Sequence, residues 1–314
     1  LVDSKLMLNG HYKMNTLGLY QIFNNEEAAF NIAIQNKMIY NEMICENCNC
    51  SMSLITDRSK KFNMVWKCRI CRKKISILKY SIFSCSHYKI NNILHLLYCW
   101  SHQFSGKQTT FETNIPEKYV SSYNIQFRYA CLEYLMNIQK QIGGNGKIVE
   151  IDETLMCRRK YHKGRLLNQV WIFGGICIDD KEIFAVIVPD RKTETLEKEI
   201  LEHIAPGSII ISDSWNSYNN IENLNNGYHH LTVNHSENFV DPDTGADTQE
   251  IERLWREMKM CNKKSNGINR CHVYSHIGEF IWRRNEIING KDPFLSAIEL
   301  MANTVFFSPL EDNE

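Results

Sequence analysis

The sequence predicts a mixed α/β core preceded by a small cysteine module and a run of helices. Three observations carry that expectation. Two C-x2-C pairs, Cys45/Cys48 and Cys68/Cys71, lie within one short stretch. Between residues 82 and 140 apolar side chains recur at helical spacing, and a glycine-rich break, Gly143-Gly-Asn-Gly146, closes that pattern. Beyond the break the period becomes that of strands, in β-branched runs.

Taken in order, residues 1–40 read as an N-terminal helical segment, in which Glu26-Glu-Ala-Ala-Phe-Asn-Ile-Ala-Ile forms a short helix. Residues 41–80 form the cysteine unit. Residues 81–142 read as a helical region, with Ile90, Ile93, Leu94 and Leu97 on one stripe and Ile125, Tyr129, Leu132 and Leu135 on another. Past the break, Lys147–Met156, Gln169–Asp179 and Lys181–Asp190 read as three strands, the last two joined at Asp179-Asp180. Thr193–Ile204 is a helix with a Ser/Thr-type start. Ser208–Ser212 and His229–His235 are two further strands, and Thr248–Lys264 is a helix that packs Ile251, Leu254, Trp255 and Met258. Three antiparallel-type strands, a helix, two more strands and a late helix make the ribonuclease H order, over residues 147–290. Residues 291–314 read as a C-terminal tail.

Composition bounds the function. Hydrophobic residues at 43% and charged residues at 23% are ordinary globular values. The balance of 36 basic and 36 acidic side chains hides local asymmetry. Residues 58–79 carry nine Lys or Arg and no acid, and 256–284 carry seven basic residues against two acids. Such surfaces hold phosphate. Twelve cysteines in so long a chain, with no leader visible at the N-terminus, argue for a reducing compartment rather than a disulfide scaffold. No apolar stretch is long enough to span a bilayer.

The two cysteine pairs are separated by 19 residues. Each pair puts two thiolates on one turn, and two turns supply the closed tetrahedral set that structural Zn²⁺ prefers. A zinc ribbon with Cys45, Cys48, Cys68 and Cys71 as ligands is therefore expected; Cys50, Cys85 and His87 are bystanders. Arg58, Lys60, Lys61, Lys67, Arg69, Arg72, Lys73 and Lys74 decorate this module as expected DNA contacts.

The acids are ordered differently. Asp152 lies inside Ile148-Val-Glu-Ile-Asp, with Glu150 on the same face of the strand. Asp213 ends Ile209-Ile-Ile-Ser, and Glu250 and Glu252 open the late helix, with 36 and 38 residues between Asp213 and each. Carboxylates at neighbouring strand ends repel unless cations hold them, so the set predicts hard divalent metal, Mg²⁺ or Mn²⁺, and phosphoryl transfer on nucleic acid. Periodicity leaves Glu250 and Glu252 both open. Trp171 and Trp215 are read as core rather than as stacking platforms.

Five strings, Glu150-Ile-Asp152-Glu, Val170-Trp-Ile-Phe-Gly-Gly175, Ser212-Asp213-Ser-Trp-Asn-Ser-Tyr218, Val233-Asn-His-Ser-Glu-Asn-Phe-Val-Asp-Pro242 and Thr248-Gln-Glu-Ile-Glu252-Arg-Leu-Trp255, closely resemble the transposases of the Merlin superfamily and their bacterial insertion-sequence relatives. The resemblance covers about residues 147–285 and, more loosely, a zinc ribbon and helices upstream. It implies a DDE transposase with Asp152, Asp213 and a late Glu as the metal-binding triad. The Glu of the Ile-Glu-x-x-Trp string is Glu252, with Glu250 the alternative. His235 either touches the scissile phosphate or caps its strand.

The expected activity is two-metal cleavage of DNA at terminal inverted repeats, followed by 3′-hydroxyl strand transfer into a target. The ribbon and the helices, read as a helix-turn-helix, would hold the repeat, and Lys259, Lys263, Lys264, Arg283 and Arg284 would touch phosphates. Double-stranded DNA and further copies of the chain are the expected partners, in a nucleus or a bacterial nucleoid. Two rivals stand beside this: a ribonuclease H-like nuclease without strand transfer, and a domesticated zinc-ribbon protein that binds DNA without cutting it.

Overall fold

The computed structural model describes residues 16–305, apart from 60–63, 85–87, 139, 158–168, 235–239, 242–244, 265–267 and 269. The chain divides into two compact units, residues 135–288 and the remainder.

In the first unit the early segment forms two helices rather than one, α1 (Thr16–Asn24) and α2 (Glu26–Gln35). Asn25 separates them, because its side chain accepts the backbone N–H groups of Glu27 and Ala28 and so caps α2. Three short antiparallel strands follow, β1 (Met52–Thr56), β2 (Met64–Cys68) and β3 (Lys74–Ser76). Met43, Met52, Trp66 and Ile75 bury against Cys45 and Cys68, so the small sheet has its core at the cysteines.

Helix α3 (Ile90–Ser101) is buried nearly all round, including the expected Ile90, Ile93, Leu94 and Leu97. Helix α4 (Gly106–Thr113) starts at a capping box between Ser105 and Gln108 and stops at Asn114, which takes a left-handed conformation. After a three-residue turn α5 (Glu117–Asn137) begins. Its buried stripe is Val120, Tyr123, Phe127, Ala130 and Cys131. The expected stripe through Tyr129 is wrong. That residue is 47% exposed, since the large aromatic pair Tyr123 and Phe127 fixes the inward face.

The second unit opens with β4 (Ile142–Gly143), then β5 (Ile148–Cys157), β6 (Val170–Cys177) and β7 (Ile183–Val188). Helix α6 (Thr193–His203) leads into β8 (Ile204–Ala205), followed by β9 (Ile209–Asp213) and β10 (His229–Val233). Helices α7 (Gln249–Lys264) and α8 (Val273–Ile288) complete the unit. Lys192, not a Ser or Thr, precedes α6; Asp190 instead accepts the Lys192 amide and the Thr195 hydroxyl.

The main sheet has the order β10-β9-β5-β6-β7. β5, β6 and β7 are antiparallel neighbours, while β9 runs parallel to β5 and β10 parallel to β9. That mixed order is the ribonuclease H-like arrangement. One face buries Val149, Ile151, Phe173, Phe184, Leu196, Ile200 and Tyr218, on the side of α6. The other buries Ile172, Ile176, Ile183, Ile251, Leu254, Trp255, Met258 and Phe280, on the side of α7 and α8. Each large aliphatic or aromatic side chain so buried contributes about 1.5–3 kcal/mol. The glycine break lies inside this unit: β4 pairs with β8, and the Gly144 amide donates to the Ser208 hydroxyl.

Residues read as a tail include α9 (Pro293–Asn303), which packs with α3 in the first unit. Asp292 caps it through the amides of Phe294 and Leu295, with Pro293 in the first turn. Among the described residues no helix is long and apolar enough to cross a membrane.

Candidate active site

The middle of one strand, the end of another and one helix start build the acidic site. β5 and β9 are parallel neighbours paired Ile148 to Ile209, Val149 to Ile210 and Glu150 to Ile211. The same register, carried two residues further, sets Asp152 level with Asp213. Val149 and Ile151 on β5 and Ile210 and Ile211 on β9 are buried, so each strand is anchored in the core just before its aspartate. Asp152 is pushed up to about 7, first by burial and then by the charges of Glu153 and Asp213. Its Oδ2 accepts a hydrogen bond from Trp255 Nε1 at 3.1 Å. Asp213 Oδ1 accepts from the Trp215 amide at 3.1 Å.

Helix α7 brings the third acid. Glu252 lines a cavity of about 570 Å³ together with Asp152, Glu153, Trp255, Arg256 and Lys259. Glu250 does not line it: its carboxylate is taken by Arg253 at 3.0 Å and Lys181 at 3.6 Å. Asp213 is not in the lining either, but its charge bears on Asp152, Glu153 and Tyr218. The geometry therefore separates two glutamates that helical periodicity left equal.

Two further residues fix α7 on the sheet. Glu150, 3% exposed, accepts the Ile251 amide on Oε2 at 2.9 Å, so a strand carboxylate caps the first turn of the helix. Burial raises Glu150 to about 7, against the lowering effect of the Ile251 and Glu250 amides. Gly174 pairs with Asp152 across β5 and β6. A Cβ there would come within 2.6 Å of Trp255 Cη2 and 2.6 Å of the Phe184 carbonyl. Only glycine lets that indole lie on the sheet and reach Asp152.

The donor set suits a hard divalent cation. Asp152, Glu153 and Asp213 sit in mutual electrostatic range, and the buried Tyr218 phenol is pushed well up by burial and by those same charges. The Tyr218 phenol and the Glu153 carboxylate act on each other as neighbours within the site. Converging buried carboxylates that raise one another in this way are what a hard cation would relieve.

Residues 143–285 match the ISXO2-like transposase domain. That span contains every acid of the site. The chain is also 29% identical over 104 residues to an uncharacterized transposase-like protein of Haemophilus influenzae, covering 33% of this chain and 81% of the relative. It is 24% identical over 216 residues to male abnormal protein mab-31 of Caenorhabditis elegans, covering 62% of this chain and 50% of that protein. A crystal structure of the catalytic core domain of BIV integrase aligns at 16% identity and a TM-score of 0.30, covering 42% of this chain and 79% of that one. The strand order alone carries the fold. The chain is thus similar to transposases over the region that holds the acids.

Around this transposase-like domain the expected basic contacts divide. Lys259 lines the acidic cavity, and Lys263 is exposed on the same helix. Arg256 is a lining residue that sequence reading missed; its spacing of one turn from Glu252 was the available signal. Arg283 and Arg284 are engaged by Glu279 and Glu257, both at 2.8 Å. His235, Lys60, Lys61 and the Lys264 side chain lie outside the described residues, as do Cys85 and His87.

In the cysteine module, Cys45, Cys48, Cys68 and Cys71 hold their sulfurs all within 4.8 Å of one another. Cys68 is drawn down to about 6, chiefly by the Cys71 amide. Four thiols gathered by two turns, with backbone amides aimed at sulfur, fit tetrahedral zinc. Cys50 stays out of the set and donates to the Cys48 carbonyl. Lys73 and Lys74 are paired with Glu46 at 2.7 Å and Asp57 at 2.8 Å, so they brace the module more than they offer charge. Arg58, Arg69 and Arg72 are exposed, Lys67 is half-buried, and none of the four has an ion pair among the described residues.

Proposed function

We propose that this chain is a DDE transposase of the Merlin superfamily, which binds terminal inverted repeats and cuts and joins DNA strands at Asp152, Asp213 and Glu252. One observation supports the reading: the parallel β5/β9 register, extended by two residues, sets two aspartates level, and Glu252 lines a cavity with the first of them. Magnesium held by these three acids would lower the pKa of a water or a 3′-hydroxyl and neutralise charge on the leaving oxygen. The chain's own residues do the rest. Trp255 orients the Asp152 carboxylate through its indole N–H. Arg256 and Lys259 balance a phosphate that enters among the acids. Direct in-line displacement needs no Ser, Tyr or Cys nucleophile, and the ends of one strand can serve as both product and attacking group.

Repeat recognition falls to the zinc module, through Arg58, Arg69 and Arg72, and to α4 and α5, joined by the three-residue turn Asn114–Pro116 as in a helix-turn-helix. Lys118, Tyr119, Ser121 and Ser122 are exposed at the start of α5, where a recognition helix reads base edges. Such a protein works on double-stranded DNA as an oligomer, in a nucleus or nucleoid.

The test uses duplexes that carry the inverted repeats flanking the gene. Native protein with Mg²⁺ should nick the repeat end and yield joined products. Asp152→Asn, Asp213→Asn and Glu252→Gln should each lose roughly a thousandfold or more in rate while keeping zinc and repeat binding. Nicking without joined products would indicate a hydrolytic nuclease. Tight repeat binding with no cleavage by native protein would indicate the domesticated form.

A further inference from the structure

A second constellation flanks the acids, built from two tryptophans that the sequence pattern assigns to the core. The Arg191 guanidinium lies 4.0 Å from the Trp171 ring centre and 4.9 Å from that of Trp215. Trp171 is half-buried and lines the cavity that holds Asp152 and Glu252, while Trp215 is 43% exposed. The stack is held from its backbone. The Trp215 amide donates to Asp213, and the Ser217 hydroxyl donates to the Arg191 carbonyl.

Arg191 has no ion pair within salt-bridge distance among the described residues; Glu153 acts on it only at longer range. An arginine that merely closed the edge of a core would normally be paired with a carboxylate, and its outer indole would be covered. Here a planar cation is held against two indoles, its N–H groups unspent among the described residues, and one of those indoles is 43% exposed. Guanidinium held this way donates to phosphate, and an exposed indole face stacks on a base.

We propose that Trp171, Arg191 and Trp215 form a platform for an unpaired nucleotide of DNA, a base on Trp215 and its phosphate on Arg191. A duplex keeps its base faces inside the stack and cannot offer one to an indole. A frayed or cut strand end can. The platform adjoins the acids, since Trp215 is bonded to Asp213 and Trp171 shares a cavity with Asp152, so it would receive the strand end on which the chemistry occurs. The proposal deepens the transposase reading and rests on it, but its binding step needs no catalysis.

The test is fluorescence anisotropy with a labelled single-stranded oligothymidylate of about a dozen nucleotides and a duplex of equal length, without added divalent metal. Trp215→Ala should weaken single-strand binding roughly tenfold and leave duplex binding unchanged, while Trp215→Phe should keep most of the affinity. Arg191→Gln, which removes the cation but keeps a planar polar group, should also erase the single-strand preference. Unchanged single-strand binding in Trp215→Ala and Arg191→Gln would overturn the platform, as would equal losses on both probes. If native protein never cuts DNA yet shows this Trp215-dependent preference, the platform stands and the catalytic reading falls. If native protein cuts DNA but its single-strand binding ignores Trp215, the catalytic reading stands and the platform falls.

Discussion

The cysteine cluster and the acid cluster both crowd groups that repel one another once ionised, but they are assembled in opposite ways. The four cysteines come from two local turns, Cys45 to Cys48 and Cys68 to Cys71, and their sulfurs close on each other. The acids come from positions as far apart in sequence as Asp152 and Glu252, brought together by the packing of α7 on the sheet, and these two border an open cavity with Arg256 and Lys259. A closed set with four protein ligands holds a cation for the sake of the fold. An open set leaves room for a water and a phosphate, and that room is where chemistry can occur.

The two clusters should part most sharply under substitution. Cys68→Ser with Cys71→Ser should strip zinc and unfold the ribbon, cutting repeat affinity by a large factor, and metal analysis with DNA titration would show it. The acid variants should do the converse, abolishing cleavage with zinc content intact. If the cysteine variant kept its zinc, or an acid variant lost it, the division between structural and reactive sites would be wrong.

A smaller effect tests how the helix is seated. Glu150→Ala removes the carboxylate that caps α7 and should cost on the order of 1–3 kcal/mol of stability by denaturant melting. Glu150→Gln, still able to accept the Ile251 amide, should recover most of it. Equal losses for both would mean the charge matters more than the bond.

The pH dependence of the two units should have opposite sign. In the metal-free protein Asp152 and Glu150 are raised to about 7, above their ordinary 3.8 and 4.5. Their contribution is therefore full below those ordinary values and fades as pH rises toward 7. Glu46 in the ribbon is held at about 2, first by Lys73 and then by Lys79 and Tyr80. Its contribution is present above its ordinary 4.5 and is lost as pH falls toward 2. Melting of the metal-free protein between mildly acidic and mildly alkaline pH should fall with rising pH, less so in Asp152→Asn. A flat profile in that range would remove burial as the dominant influence on the acids. The smallest change belongs to Glu250→Gln, which breaks only the ion pairs with Arg253 and Lys181 and should leave cleavage within a few-fold of native.

What could be read from sequence follows the same division. The cysteine cluster was legible because its members are local: spacing alone names Cys45, Cys48, Cys68 and Cys71, whose sulfurs gather within 4.8 Å. The strands of the second unit were legible because period and apolar runs carry them, and the α7 stripe of Ile251, Leu254, Trp255 and Met258 is the buried one. What distinguishes Glu250 from Glu252 lies in their side-chain partners, which periodicity does not contain. The stripe of α5 was misread because Leu, Ile and Tyr occur on more than one of its faces, and only packing decides which face turns inward. Helix α9 falls within the expected tail, although Asp292-Pro293 is a readable start. Arg191 carries no sequence signal because its neighbours in the stack, Trp171 and Trp215, are distant in sequence.

The close approach of Trp255 to Gly174 has a consequence for how this protein can be watched. An indole N–H bonded to Asp152 makes the ring a natural chromophore coupled to a carboxylate of the site. Whatever draws that oxygen away from the N–H alters the polarity around the ring, and with it the colour and yield of its emission. The chain has six tryptophans, so the signal is read as the difference between native protein and Trp255→Phe. Arrival of an ion can then be timed apart from arrival of DNA, with no label attached.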